Sequence, residues 1–145
     1  MKHLKVWIFL LAGFLVLNAG RSFADPKLGD EAQFKKALAG VQTALSQNDA
    51  EKVAAWCTFP KFSWELPGLG DDLSREAFSK NFQKIFTPEI RQKLATGKFQ
   101  QLQSSGDFTL EWNKKNDNYI LIFEKQSDGS YKFGGLAVGP ADTQG

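Results

Sequence analysis

Between Asn48 and Pro67 the chain reads NDAEKVAAWCTFPKFSWELP, and this stretch limits the folds open to it more than any other. Asn48-Asp49 can cap a short helix, in which Val53, Ala54 and Cys57 fall on one face. Phe59-Pro60 then stops it, because proline lacks the backbone donor and biases the residue before it away from helical geometry. Phe62, Trp64 and Leu66 alternate with Lys61, Ser63 and Glu65, the period of a strand with one buried face. A helix must therefore hand over directly to a half-buried strand, which we place at a sheet edge.

On either side of this junction the periodicity divides the chain. Asp30 to Gln33 reads as a capping box for a helix in which Phe34, Leu38, Val41 and Leu45 share a face and which ends near Ser46. Pro67 to Asp72 reads as a turn. Ser74 can cap a further helix with Ala77, Phe78, Phe82, Ile85 and Phe86 as its apolar side, and Thr87-Pro88-Glu89 restarts a helix that runs to Gly97. Strands come next: a weak segment near Gln100, then Phe108 to Asn113, then Tyr119 to Phe123, which is apolar on both faces and reads as a central strand covered from both sides or bordered by another layer. Tyr131 to Val138 closes the series, with Gly134-Gly135 marking a bulge or sharp bend. Lys114 to Asn118 and Ser127 to Ser130 are the turns between them.

The first residues predict a signal peptide over 1–24. Lys2 and Lys5 precede the apolar run Val6 to Leu17, and Ser22-Phe23-Ala24 presents small residues where a signal peptidase reads. The expected compartment is the periplasm or the outside of the cell, with the mature domain spanning 25–145 and no stable membrane insertion after cleavage. Losing Lys2, Lys5 and Arg21 leaves 15 basic against 16 acidic residues, a net charge of −1. A near-neutral domain offers no basic surface for nucleic acid. The single histidine, His3, departs with the leader, so histidine-dependent triads and histidine-containing zinc sites are not expected. The lone Cys57 allows no intramolecular disulfide and, sharing a face with Val53, reads as structural rather than reactive, although Lys61 lies close in sequence. Asp71-Asp72 lacks the spaced oxygen ligands of a calcium loop, so neither a metal nor a cofactor is expected.

Helices, a strand, more helix and then consecutive antiparallel strands make an α+β order. The run Asn48 to Ala54 leading into Phe59-Pro60, with Glu76-Ala77-Phe78, Lys84 to Thr87 and Asp128 to Tyr131, resembles the nuclear transport factor 2-like superfamily in its small secreted bacterial form. That resemblance implies a cone, with N-terminal helices packed on a curved, mostly antiparallel sheet and a pocket opening at the wide end. It also implies three kinds of activity, since such proteins include isomerase-like and cyclase-like enzymes, ligand-binding modules and dimerising modules, so the fold does not choose among them.

Phe62, Trp64, Trp112, Tyr119 and Tyr131 are the candidate pocket residues, offering flat aromatic surfaces to an apolar ligand, or alternatively filling the core. Trp56 is out of step with Val53 and Cys57 and is expected on the outer side of its helix. A lyase or isomerase would need a carboxylate base and a tyrosine hydroxyl in one apolar pocket, drawn from Glu65, Asp107, Glu111, Tyr119 and Tyr131. Parity turns Glu111 and Glu65 away from the aromatic side, so no catalytic residue is assigned. The leading reading is a non-enzymatic module that binds a small apolar ligand or a protein partner. A carboxylate-tyrosine enzyme and a homodimerising structural module are the alternatives.

Overall fold

The computed structural model describes residues 26–66, 69 and 72–141. The expected leader, and all but Leu69 and Asp72 of the predicted 67–72 turn, lie outside them. Residues through Ala32 belong to one unit and those from Gln33 onward to a second. The described part of the first is helical, and the sheet with its packed helices belongs to the second.

Helix α1, Pro26–Ser46, starts a turn before the predicted cap, so Asp30 and Gln33 lie inside it and form no capping box. Proline is well suited to a first helical position, where its missing N–H is no loss. Asn48 adopts a left-handed φ of 52° after the helix, and its N–H returns to the Leu45 carbonyl at 2.9 Å, so it terminates α1. Asp49 alone caps α2, Ala50–Ala54, with its carboxylate accepting from Lys52 N–H at 3.1 Å. Arg91 ties this corner together. Its guanidinium donates to the Leu45 carbonyl (3.1 Å), the Asn48 side-chain oxygen (3.1 Å) and the Phe86 carbonyl (2.9 Å), placing a cation where α1 exposes its last carbonyls.

The Phe59-Pro60 bond is cis, and β1, Phe62–Trp64, follows it. β1 is not an edge strand as the sequence suggested. It pairs antiparallel with a two-residue β2, Asp72–Leu73, and parallel with the last strand. The pattern of so short a strand could not be told from a turn. Ser74 caps α3, Arg75–Lys80, as expected, but Asn81 separates it from α4, Phe82–Ile85, so the predicted single helix is two. The apolar face survives the break, with Phe78, Phe82, Ile85 and Phe86 all buried. Thr87 caps α5, Pro88–Thr96, through its hydroxyl (Ile90 N–H, 3.3 Å), and Pro88 opens the helix.

β3, Gln100–Gln101, is only two residues long. β4, Phe108–Lys114, turns at Lys115-Asn116 into β5, Asp117–Lys125, a tighter connection than predicted, and β6, Tyr131–Pro140, ends the sheet. The strand order is β2-β1-β6-β5-β4-β3, antiparallel except between β1 and β6. The architecture is thus α+β, as expected. β5 is central, but the prediction that both its faces are covered holds for one only. Leu121 and Phe123 are fully buried, while Ile120 and Ile122 on the other side remain half-exposed.

The buried face is built in rows across the strands. Phe62, Phe133, Phe123 and Phe108 form one, with neighbouring rings 5.1 to 5.7 Å apart for Phe123–Phe133 and Phe62–Phe133. Trp64, Leu136, Leu121 and Leu110 form the next. Phe34 of α1 stacks on Phe108 at 4.1 Å, Phe78 of α3 meets Phe62 at 5.2 Å, and Phe86 meets Trp64 at 6.0 Å. Each such ring contributes about 1.5–3 kcal/mol on burial.

The glycine pair predicted to bend β6 does so. The β5–β6 register shifts beside Gly135, whose φ is +123°, and any Cβ there would collide with the Ser63 carbonyl oxygen of β1. A Gly135→Ala substitution would combine a strained backbone with a backbone clash. It should destabilise the fold by about 3 kcal/mol or more in urea unfolding, whereas Gly139→Ala, where a Cβ meets nothing within 4 Å, should cost far less.

Candidate ligand site at the half-exposed end of the inner sheet face

The five aromatic residues singled out from the sequence do not gather in one pocket. Phe62 and Trp64 are 0% exposed and Tyr131 2%, all inside the core. Their burial follows from the aromatic rows, because helices α1, α3 and α4 cover that part of the sheet. The Tyr131 hydroxyl donates to the Gly106 carbonyl at 2.7 Å, so it acts as a structural strut. The Trp64 indole N–H is buried without a hydrogen-bond partner among the described residues, a local cost outweighed by the packing of the ring.

Trp112 and Tyr119 behave differently. They are directly opposed across β4 and β5 and stack at 5.4 Å with ring planes 18° apart, while Tyr119 is in turn opposite Val138 of β6. This third row, Val138, Tyr119 and Trp112, is only half-buried. Trp112 lies on the same side of the sheet as Trp64, but the helices cover the two unequally.

Helix α5 supplies the polar rim. Ile90 and Leu94 point into the core, which leaves Glu89 and Lys93, four residues apart, beside Trp112. The Trp112 indole N–H donates to Glu89 Oε1 at 3.1 Å, and Lys114 Nζ donates to Glu89 Oε2 at 2.7 Å. Lys93 Nζ lies 5.3 Å from the Trp112 ring centre. Lys114, followed by the indole donor and the nearby Lys93 charge, holds the Glu89 carboxyl below its ordinary value of 4.5 against an opposing effect of burial. Neither Glu89 nor Lys93 was singled out by sequence, since i,i+4 spacing on a helix shows that they share a face without saying what that face meets.

The carboxylates considered for catalysis are held by backbone groups or face away, and only Glu65 reaches this row, at its Val138 end. Glu65 accepts from Val138 N–H at 2.8 Å, Asp107 accepts from Lys125 N–H at 2.8 Å, and Glu111 is exposed on the opposite face of β4. The acid that burial pushes upward, reinforced by the charge of Asp107, is Glu124, which lies against Gly134 on the outer face. Neither Tyr119 nor Tyr131 shares that face. Trp56, expected to point outward, instead packs half-buried on Gly40 of α1 beside an open groove of about 480 Å³ lined by Thr43, Ala44 and Ala55.

Cys57 is buried and its thiol lies 3.3 Å from the Val53 carbonyl, with desolvation raising its pKa far above the usual thiol range. Among the described residues no group of three or more metal-ligating side chains occurs, and no helix is long and apolar enough to cross a membrane. Compared with known proteins, the sequence matches no family model and no curated protein.

Two measurements check these assignments. Native protein at pH 8 should react with a thiol reagent at least about a hundredfold more slowly than urea-unfolded protein, since only the exposed thiolate is a nucleophile. The Trp112 indole proton shift should titrate with a midpoint below the ordinary glutamate value of 4.5. Because the folded value is the lower one, the Glu89 contribution is complete above 4.5 and disappears as pH falls through the folded pKa. A midpoint at or above 4.5 would show that the contact does not persist in solution.

Proposed function

We propose that this is a secreted or periplasmic, non-enzymatic binding module of the nuclear transport factor 2-like type, which takes a small apolar ligand on the Val138–Tyr119–Trp112 row. The observation that carries the proposal is the grading of the inner face: the first row is closed, the second is closed except at half-buried Leu110, and the third leaves all its members, including the stacked Trp112 and Tyr119 rings, half-buried. Small-molecule sites combine aromatic and apolar lining with a few placed polar groups, and this row with its α5 rim offers both. The order of helices and strands supports the family likeness.

A carboxylate-tyrosine enzyme finds less support. The carboxylate with the raised pKa is on the far side of the sheet from Tyr119, Glu89 beside Trp112 is shifted the wrong way for a base that must take a proton near neutral pH, and Glu65 is tied to the Val138 N–H.

Titration with a neutral fluorescent naphthylamine dye tests the proposal. Wild-type protein should enhance the dye emission saturably, and Trp112→Ala and Tyr119→Ala should each weaken binding at least about tenfold, or ~1.4 kcal/mol. Unchanged binding in both variants, with circular dichroism confirming that they fold, would place any ligand elsewhere.

A further inference from the structure

A second half-covered aromatic ring lies away from the sheet, between α1 and α2. The groove there has a volume of about 480 Å³ and is lined by Trp56 and Ala55 from the end of α2 and by Ala39, Gly40, Thr43 and Ala44 of α1. Clefts of this size between helices, largely apolar with a few polar groups, are of the kind that hold small molecules.

The position of the ring is written into α1. A Cβ at Gly40 would collide with Cε2, Cζ2 and Nε1 of the Trp56 indole, so the edge of the ring lies directly on the helix backbone. Glycine is a poor choice for a helix interior on propensity alone. The close approach of the indole explains it, and the contact fixes the ring beside the groove.

The polar groups along the groove sort by charge and by hydrogen bonding. Lys52 is the one charged residue of the lining. Its ammonium donates to Gln47 Oε1 at 2.8 Å and lies 4.0 Å from the Asp49 carboxylate. The other charges nearby are answered or stand clear. Glu51 pairs with Arg75 at 3.4 Å, Lys132 is opposite Glu124 on the sheet, and Lys36, one turn before Gly40, is exposed and outside the lining. A charged ligand therefore finds no unmatched charge in the lining. What the groove does offer is donors. The Trp56 indole N–H makes no hydrogen bond among the described residues and, unlike that of Trp64, is not sealed from solvent. Gln47, its oxygen taken by Lys52, has its amide N–H groups left to give.

We propose that the α1–α2 groove is a second ligand site, which takes a neutral, flat aromatic molecule bearing a ring-nitrogen or carbonyl acceptor. The body of the ligand lies along the low floor left by Gly40 and the alanine methyls, and its acceptor takes the Trp56 N–H. This site is separate from the Val138–Tyr119–Trp112 row, and neither requires the other.

Quinoline is the probe, titrated into the full mature chain and followed by NMR at a mildly alkaline pH where its ring nitrogen is unprotonated. The Trp56 indole resonance and the Thr43 and Ala55 amide resonances should shift together and saturably, and exchange of the Trp56 indole proton with water should slow. Trp56→Phe, which keeps a ring and removes the donor, should weaken binding at least about fivefold, the worth of one hydrogen bond. N-methylquinolinium, with its acceptor blocked and a charge added, should bind at least about tenfold more weakly than quinoline. Quinoline-6-carboxylate should bind no more tightly than quinoline. Gly40→Ala should stay folded by circular dichroism, displace the indole into the groove and abolish the shifts at Thr43 and Ala55. Unchanged indole exchange, full affinity in Trp56→Phe, a tighter carboxylate or an equally tight N-methylquinolinium would overturn the neutral-acceptor assignment. No shift at Trp56, Thr43 and Ala55, or undiminished binding in Gly40→Ala, would overturn the site itself. The Trp112 resonance reports on the sheet row, so failure of one site is told apart from failure of the other.

Discussion

The close approach of β1 to β6 at Gly135 is the contact on which the rest of the structure depends. Every other pairing in the sheet joins antiparallel neighbours. Only here does the strand emerging from the helical segment lie parallel to the last strand of the chain, Ser63 opposite Gly135 and Trp64 opposite Leu136. A side chain at Gly135 would occupy the space taken by the Ser63 carbonyl. Cys57 and Thr58 extend the seam: Cys57 bridges to Phe133, and the Thr58 N–H donates to the Phe133 carbonyl at 3.1 Å. A glycine late in the chain thus determines where a segment far earlier in the sequence can dock.

Once that seam is closed, the aromatic rows follow from register. Strand pairing brings Phe108, Phe123 and Phe133 into line, and β1 adds Phe62 at the end. The rings tilt or meet edge-on more often than they lie flat, an arrangement that the aromatic quadrupole favours over face-to-face stacking. Helices α1, α3 and α4 complete the same core from the other side. Arg91 joins three chain segments by donating to the Leu45 and Phe86 carbonyls and to the Asn48 amide oxygen, adding to the Asn48 N–H that Leu45 already accepts and the Gln83 amide that Asn48 already accepts.

The helical caps at Asp49, Ser74 and Thr87 were legible because a cap is a local hydrogen bond between a side chain and a backbone N–H three residues on. The Gly134-Gly135 bulge was legible for a similar reason, since only a special backbone conformation explains a glycine pair in so apolar a strand. The short β2 was not. Two residues hold no periodicity, and Leu73 becomes part of a strand only because Phe62 is there to pair with it. The break at Asn81 was hidden because the apolar spacing of Phe78, Phe82 and Ile85 continues through it.

The candidate site shows the same division. Sequence alone determined that Trp64, Trp112 and Tyr119 lie on apolar strand faces, that histidine chemistry is absent from residues 25–145, and that a helix ending before Phe59-Pro60 hands over to a strand. These are statements about residue type and about neighbours within a few positions, where backbone geometry is set by local sterics. Only the tertiary structure decided which aromatic residues are sealed in and which are half-open, and that Glu89 and Lys93 of α5 meet Trp112 of β4. Burial and electrostatic neighbourhood depend on how far each helix extends across the sheet. That is a sum over contacts between residues distant in sequence, and no local pattern encodes it.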